Sequence, residues 1–120
     1  MTHSERILGP ARAQFAILAP ANQALATIIF AAWEAMIESA GPVAAEWLTV
    51  WTVVGDDGHL LIEWGLREAR FGVSFETDPA ESGWFHATCL ALPPRPADGC
   101  GWARDTDWPA LFARVRAGIA

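Results

Sequence analysis

The sequence predicts an α+β domain: a helix over about 21–40, a four-stranded antiparallel meander over about 47–91, a Pro- and Gly-rich loop, and a helix over about 107–118. Three observations predict it. Three turn signals, Gly55-Asp56-Asp57-Gly58, Leu66-Arg67-Glu68-Ala69 and Asp78-Pro79-Ala80-Glu81-Ser82, separate four short runs rich in Val, Ile, Trp, Phe and Thr, the pattern of consecutive hairpins. Apolar residues at helical spacing precede the runs, and a shorter set follows them. The chain has 120 residues, 52% of them apolar, enough for one domain with one core.

Residues 1–9 read as frayed. Pro10 can open a short helix, Ala11 to Leu18, at the tolerated first position, with Pro20 ending it. The main helix follows. Leu25, Ile28, Ile29, Trp33, Met36 and Ile37 form one stripe, Asn22 is the expected N-cap, and Gly41-Pro42 the stop. Phe30 lies off the stripe and points to a second covering surface. After the strands, 92–104 lacks periodicity and reads as a loop. Trp108, Leu111, Phe112, Val115 and Ile119 give the last helix its stripe, with Arg114 and Arg116 near its C-terminus, where the helix dipole favours cations.

The turn signals set registers for the strands. Val54 is expected opposite His59, Val53 opposite Leu60, and Trp51 opposite Ile62. Gly65 is expected opposite Arg70, Trp64 opposite Phe71, Ile62 opposite Val73, and Leu60 opposite Phe75. Across the third turn Phe75 should meet Phe85, Val73 Ala87, and Phe71 Cys89. These pairs gather Trp51, Val53, Leu60, Ile62, Trp64, Phe71, Val73, Phe75, Phe85, Ala87 and Cys89 on one face, against the main helix. The other face is mixed: Val50, Glu63, Gly72 and Thr88; then Thr52, Leu61, Ser74 and His86; then Val54, His59, Glu76 and Trp84.

Composition narrows the function classes. The net charge is −6 and the pI about 4.8. Nucleic-acid binding needs a basic footprint, so direct contact with nucleic acid is not expected. All eight basic residues are Arg, a bias of GC-rich genomes that suggests a bacterial source. The apolar run over 15–33 is broken by Pro20, Asn22, Gln23 and Thr27 and followed by Glu34 and Glu38, so no membrane span is expected. Glu5 and Pro20 argue against a signal peptide. Cys89, on the core face, and Cys100, in the loop, read as reduced thiols of a cytoplasmic protein.

No group of residues carries specific chemistry. His86, Cys89, Cys100 and His59 are zinc-type ligands, but residues 86 and 89 are three apart on a strand and point to opposite faces. Ser74 beside His86, with Glu76 near, has the composition of a nucleophile, base and acid. A nucleophile sits at a sharp turn beside oxyanion donors, and Ser74 lies in mid-strand, so a Ser–His hydrogen bond on a solvated face is the better reading. Glu76 opposite His59 is a favourable cross-strand pair, and acid–base use of Glu63, Glu76 and His59 would require a cleft. Gly99-Cys100-Gly101 has no Lys or His beside the thiol to activate it. Gly55-Asp56-Asp57-Gly58 is too short for a calcium loop.

The seven Trp residues exceed what one small core needs. The expectation is a non-catalytic protein that binds another protein, basic in character, or a second copy of itself. Regulator, adaptor, inhibitor and immunity-type roles all suit it. No cofactor or metal is expected. The expected binding residues lie on the mixed face: Trp84 as anchor, with Leu61, Val54, His59, Glu63, Glu76 and His86. The alternatives are a small-molecule site or minor enzyme on that face, and a homo-oligomeric subunit.

Overall fold

The structure, a computed structural model, describes residues 2–40, 46–55, 57–88 and 98–119, without the side chains of Trp51, Thr88 and Ile119. The fold is α+β. Helix α1 (His3–Arg12) leads through a short 3-10 turn at Phe15–Ile17 to α2 (Pro20–Ala40). Strands β1 (Leu48–Val54), β2 (Leu60–Leu66), β3 (Ala69–Phe75), β4 (Gly83–Thr88) and β5 (Gly99–Trp102) form one antiparallel sheet in sequential order, and α3 (Trp108–Ile119) follows. No helix among the described residues is long and apolar enough to cross a membrane.

The N-terminus is helical, not frayed. Thr2 and Glu5 form a reciprocal capping box: Thr2 Oγ1 accepts from the Glu5 amide, and Glu5 Oε2 accepts from the Thr2 amide. Ile7, Leu8 and Ala11 are buried, so packing outweighs the backbone bond lost at Pro10 inside α1. The expected helix over Ala11–Leu18 is only the 3-10 turn, and Pro20 opens α2 instead of ending a helix. Asn22, expected as the N-cap, lies inside the first turn of α2 and is fully buried.

Ile29, Trp33, Met36 and Ile37 of the expected stripe are buried, while Ile28 is exposed. Phe30 is buried too, edge-on to Phe15 at 4.7 Å and to Trp64 at 5.7 Å. The second surface over α2 is thus the 3-10 turn. Trp33 forms the hub of the core. It stacks on Phe112 of α3 at 4.9 Å and meets Trp47, Trp64 and Phe71 edge-on. Gly41-Pro42, the expected stop, lies outside the described residues.

All seven β2–β3 pairs follow one register, which includes the four expected pairs. A two-residue turn with Arg67 at φ 53° fixes it. The first hairpin differs by one residue. Gly55 still donates to the His59 carbonyl at 2.8 Å, and Gly58 at φ 88° closes the turn. Val54 therefore meets Leu60, Val53 meets Leu61, and Trp51 meets Glu63 instead of Ile62. A register shift between Thr49 and Trp51 absorbs the extra residue, bringing Thr49 opposite Trp64.

The third hairpin differs by three residues. Pro79–Glu81 forms a 3-10 turn capped by Asp78, and Ser82 Oγ accepts from the Glu76 amide. Pairing then starts at Ser74–Gly83, so Phe71 meets His86, Gly72 meets Phe85, and Val73 meets Trp84. An odd shift exchanges the faces of β4. Trp84 and His86 turn toward the helices, and Phe85 turns away. Cys89 lies outside the described residues. Part of the expected loop is β5, with the exposed Cys100 opposite Phe85.

All three helices cover the same sheet face. Trp64 Nε1 donates to the Ile7 carbonyl of α1, Trp33 of α2 reaches Trp64 and Phe71, and Phe112 of α3 reaches Phe71.

Candidate functional site

The face turned away from the helices is the candidate site. Along it the ladder places Val53, Leu61, Ser74 and Gly83 in one row, ending at Trp102 of β5. The next row contains Glu63, Gly72, Phe85 and Cys100. A side chain at Gly72 would run into the Phe85 ring, so Phe85 lies flat across that glycine. Val50 and Arg70 similarly lie over Gly65. Leu48 is 59% exposed, Val50 48%, Val53 43% and Trp102 56%, and Leu61 and Phe85 are partly buried. The result is an apolar surface running across the sheet with no helix on it among the described residues.

At one end of that surface stand His59, Ser74 and Glu76. Ser74 Oγ donates to Glu76 Oε1 at 2.6 Å. His59 Nε2 lies 3.3 Å from Ser74 Oγ and 3.5 Å from Glu76 Oε1. The expected His59–Glu76 pair therefore exists, and the serine joins it in place of His86. The hydroxyl proton goes to the carboxylate, so the imidazole acts as a donor here, not as a base for serine. Ser74 also sits flat in the ladder between Leu61 and Gly83. The trio is a polar cross-strand clamp, half-buried, with a carboxylate and an imidazole on offer to a partner.

The other expected residues scatter. Glu63 is on the outer face beside Gly72. Val54, expected on the outer face, pairs with the buried Leu60 on the helix side because the first register shifts by one, and it is 48% exposed only at the end of β1. Trp84 faces inward: its Nε1 donates to Thr106 Oγ1 at 2.8 Å, and its ring meets Trp108 at 6.4 Å. His86 faces inward as well, only 5% exposed, with Nδ1 3.1 Å from Asp98 Oδ1. Its Nε2 is buried without a hydrogen-bond partner among the described residues. Burial pushes the imidazole below its usual range, and the hydrogen bond and charge of Asp98 oppose that shift. His86 and Glu76 therefore cannot share a pocket on the outer face.

Sequence reasoning missed Phe85 and Trp102 as surface residues. The third register expected from the sequence turns Phe85 inward, whereas its pairing with Gly72 places it outward. Trp102 follows two glycines, Gly99 and Gly101, which flank Cys100 in an alternating pattern that could have signalled a strand. Among the described residues no three His, Cys, Asp or Glu side chains are grouped as metal ligands. Compared with known proteins, the chain matches no family model, no curated protein and no solved structure.

Proposed function

We propose that this chain is a non-catalytic protein-binding module, and that its partner docks on the outer face of the sheet. One observation carries the reading. Leu48, Val50, Val53 and Trp102 expose apolar area across a sheet whose opposite face is covered by three helices. An exposed apolar patch rimmed by polar groups is characteristic of an interaction surface. Trp102 supplies the kind of aromatic anchor that dominates interface energetics. Glu63, Glu76 and His59 form the polar setting, and the two carboxylates favour a partner with basic groups there. A regulatory, adaptor, inhibitory or immunity-type role in the cytoplasm is consistent with such a module.

The test is affinity capture from the source organism with the wild-type chain and a Leu48→Ser/Val53→Ser variant, with light scattering on each alone. The expected result is a partner retained by wild type in fixed stoichiometry and lost by the variant at unchanged thermal stability. Retention by both proteins would refute the reading. A wild-type dimer that the variant converts to a 13.0 kDa monomer would establish a homo-oligomeric face instead.

A further inference from the structure

A second surface lies on the other side of the molecule, independent of the sheet face. Both long helices begin beside Ser82. Asn22 of α2 accepts from Ser82 Oγ, while the Ser82 carbonyl accepts from the Ala103 amide, and Trp108 of α3 donates to the Ala103 carbonyl. Farther along, Trp33 stacks on Phe112. The two helices therefore run side by side in the same direction. Beyond the stacked pair they leave a groove of about 520 Å³, lined by Ala35, Met36 and Ser39 of α2 and by Phe112, Ala113 and Arg116 of α3. Alanine at the facing positions leaves the space open, and Met36 and Phe112 form an apolar floor.

Because the helices are parallel, Ser39 and Arg116 lie at the same, C-terminal, end. The groove is thus apolar along its length with a cation at one end. Arg116 is the only charged residue in the lining, and it makes no ion pair among the described residues. In a chain of net charge −6, a guanidinium with no ion pair among the described residues, at the end of an apolar slot, favours an anion attached to an apolar tail. The volume is that of small-molecule sites, about 300–1,000 Å³. Its α2 wall, from Ala32 to Ser39, is about 10 Å long at a rise of about 1.5 Å per residue. That is the reach of a medium-length alkyl chain.

We infer that the α2–α3 groove binds a medium-chain alkyl carboxylate, with the tail between the helices and the carboxylate on Arg116. Each methylene buried should raise affinity about fourfold, so decanoate should bind about tenfold or more tighter than octanoate. The experiment is calorimetric titration of the whole chain with octanoate, decanoate and decyltrimethylammonium, all below their micelle concentrations. The expected result is saturable binding of one decanoate, at least tenfold weaker binding of the cation, and about tenfold loss for Arg116→Gln. Ala113→Phe, at an exposed position, should fill the groove and abolish binding; Ala35→Phe does the same from the opposite wall. No saturable binding, equal binding of cation and anion, or decanoate binding that survives both fillings would overturn the proposal. So would a wild-type dimer that the fillings dissociate, because the occupant would then be a second copy.

Discussion

Asn22, Glu76 and Ser82 close a ring of three hydrogen bonds. Asn22 Nδ2 donates to the Glu76 carbonyl at 2.6 Å, the Glu76 amide donates to Ser82 Oγ at 2.9 Å, and that hydroxyl donates to Asn22 Oδ1 at 3.1 Å. Asn22 and Ser82 are fully buried, so the ring satisfies groups that would otherwise be costly, and it pins the third turn to the first turn of α2. His86 is less completely satisfied. With Nδ1–H on Asp98 and Nε2 without a partner among the described residues, the neutral ring fits its site, and protonation would bury a further N–H there. Its folded pKa therefore lies below the unfolded value of about 6.5. Between the two values the unfolded chain binds more protons, so stability rises with pH. The His86 contribution is complete above about pH 6.5 and is lost as pH falls through the folded pKa. Urea unfolding from pH 7.5 to 5 should show stability falling on acidification, with a shallower fall in His86→Gln. An identical pH slope in the two proteins would remove His86 as its source.

At the level of the elements, the sheet shows how far patterning reaches. The β2–β3 hairpin was legible because its turn leaves two residues and no freedom of register. The flanking hairpins were not, because turn geometry sets phase. Gly58 at positive φ closes a first turn one residue longer than expected, and the 3-10 turn at Pro79–Glu81 moves the third register by three. Neither change alters which residues are strand-forming, so the elements are as expected while the faces of β4 and of Thr52–Val54 in β1 are exchanged. The candidate site inherited that error. The His59–Glu76 pair, Glu63 and Leu61 lie on the outer face as expected, whereas Val54, Trp84 and His86 lie on the helix side. The N-terminal helix was missed despite a readable Thr2–Glu5 capping spacing. The third register is open to a direct check at Gly72, over which Phe85 lies. Gly72→Ala should cost about 1–3 kcal/mol by overpacking. Combined with Phe85→Ala it should cost less than the sum of the two single changes, as measured by denaturant unfolding. Strict additivity would place Phe85 elsewhere.

The whole molecule measures 37 × 34 × 22 Å. Sheets bury both faces only when elements are available for both. Here α1, α2 and α3 all serve the Trp33 core, and the outer face retains Leu48, Val53 and Trp102 at the surface. The two faces therefore make opposite demands on their tryptophans. Trp84 belongs to the interior, through Thr106 and Trp108, and Trp102 to the surface.

If the covered face builds the fold and the open face binds, a crossover of these two residues separates stability from affinity. Stability and partner affinity are measured for Trp84→Ser and Trp102→Ser, with affinity taken under conditions where each variant is folded. Trp84→Ser should lose about 3 kcal/mol of stability, in the range for large core truncations, and keep its affinity once folded. Trp102→Ser should stay within about 0.5 kcal/mol of wild type in stability and lose about tenfold or more in affinity. The reverse pattern, with Trp102→Ser unfolding the chain and Trp84→Ser abolishing binding, would contradict the assignment of the faces.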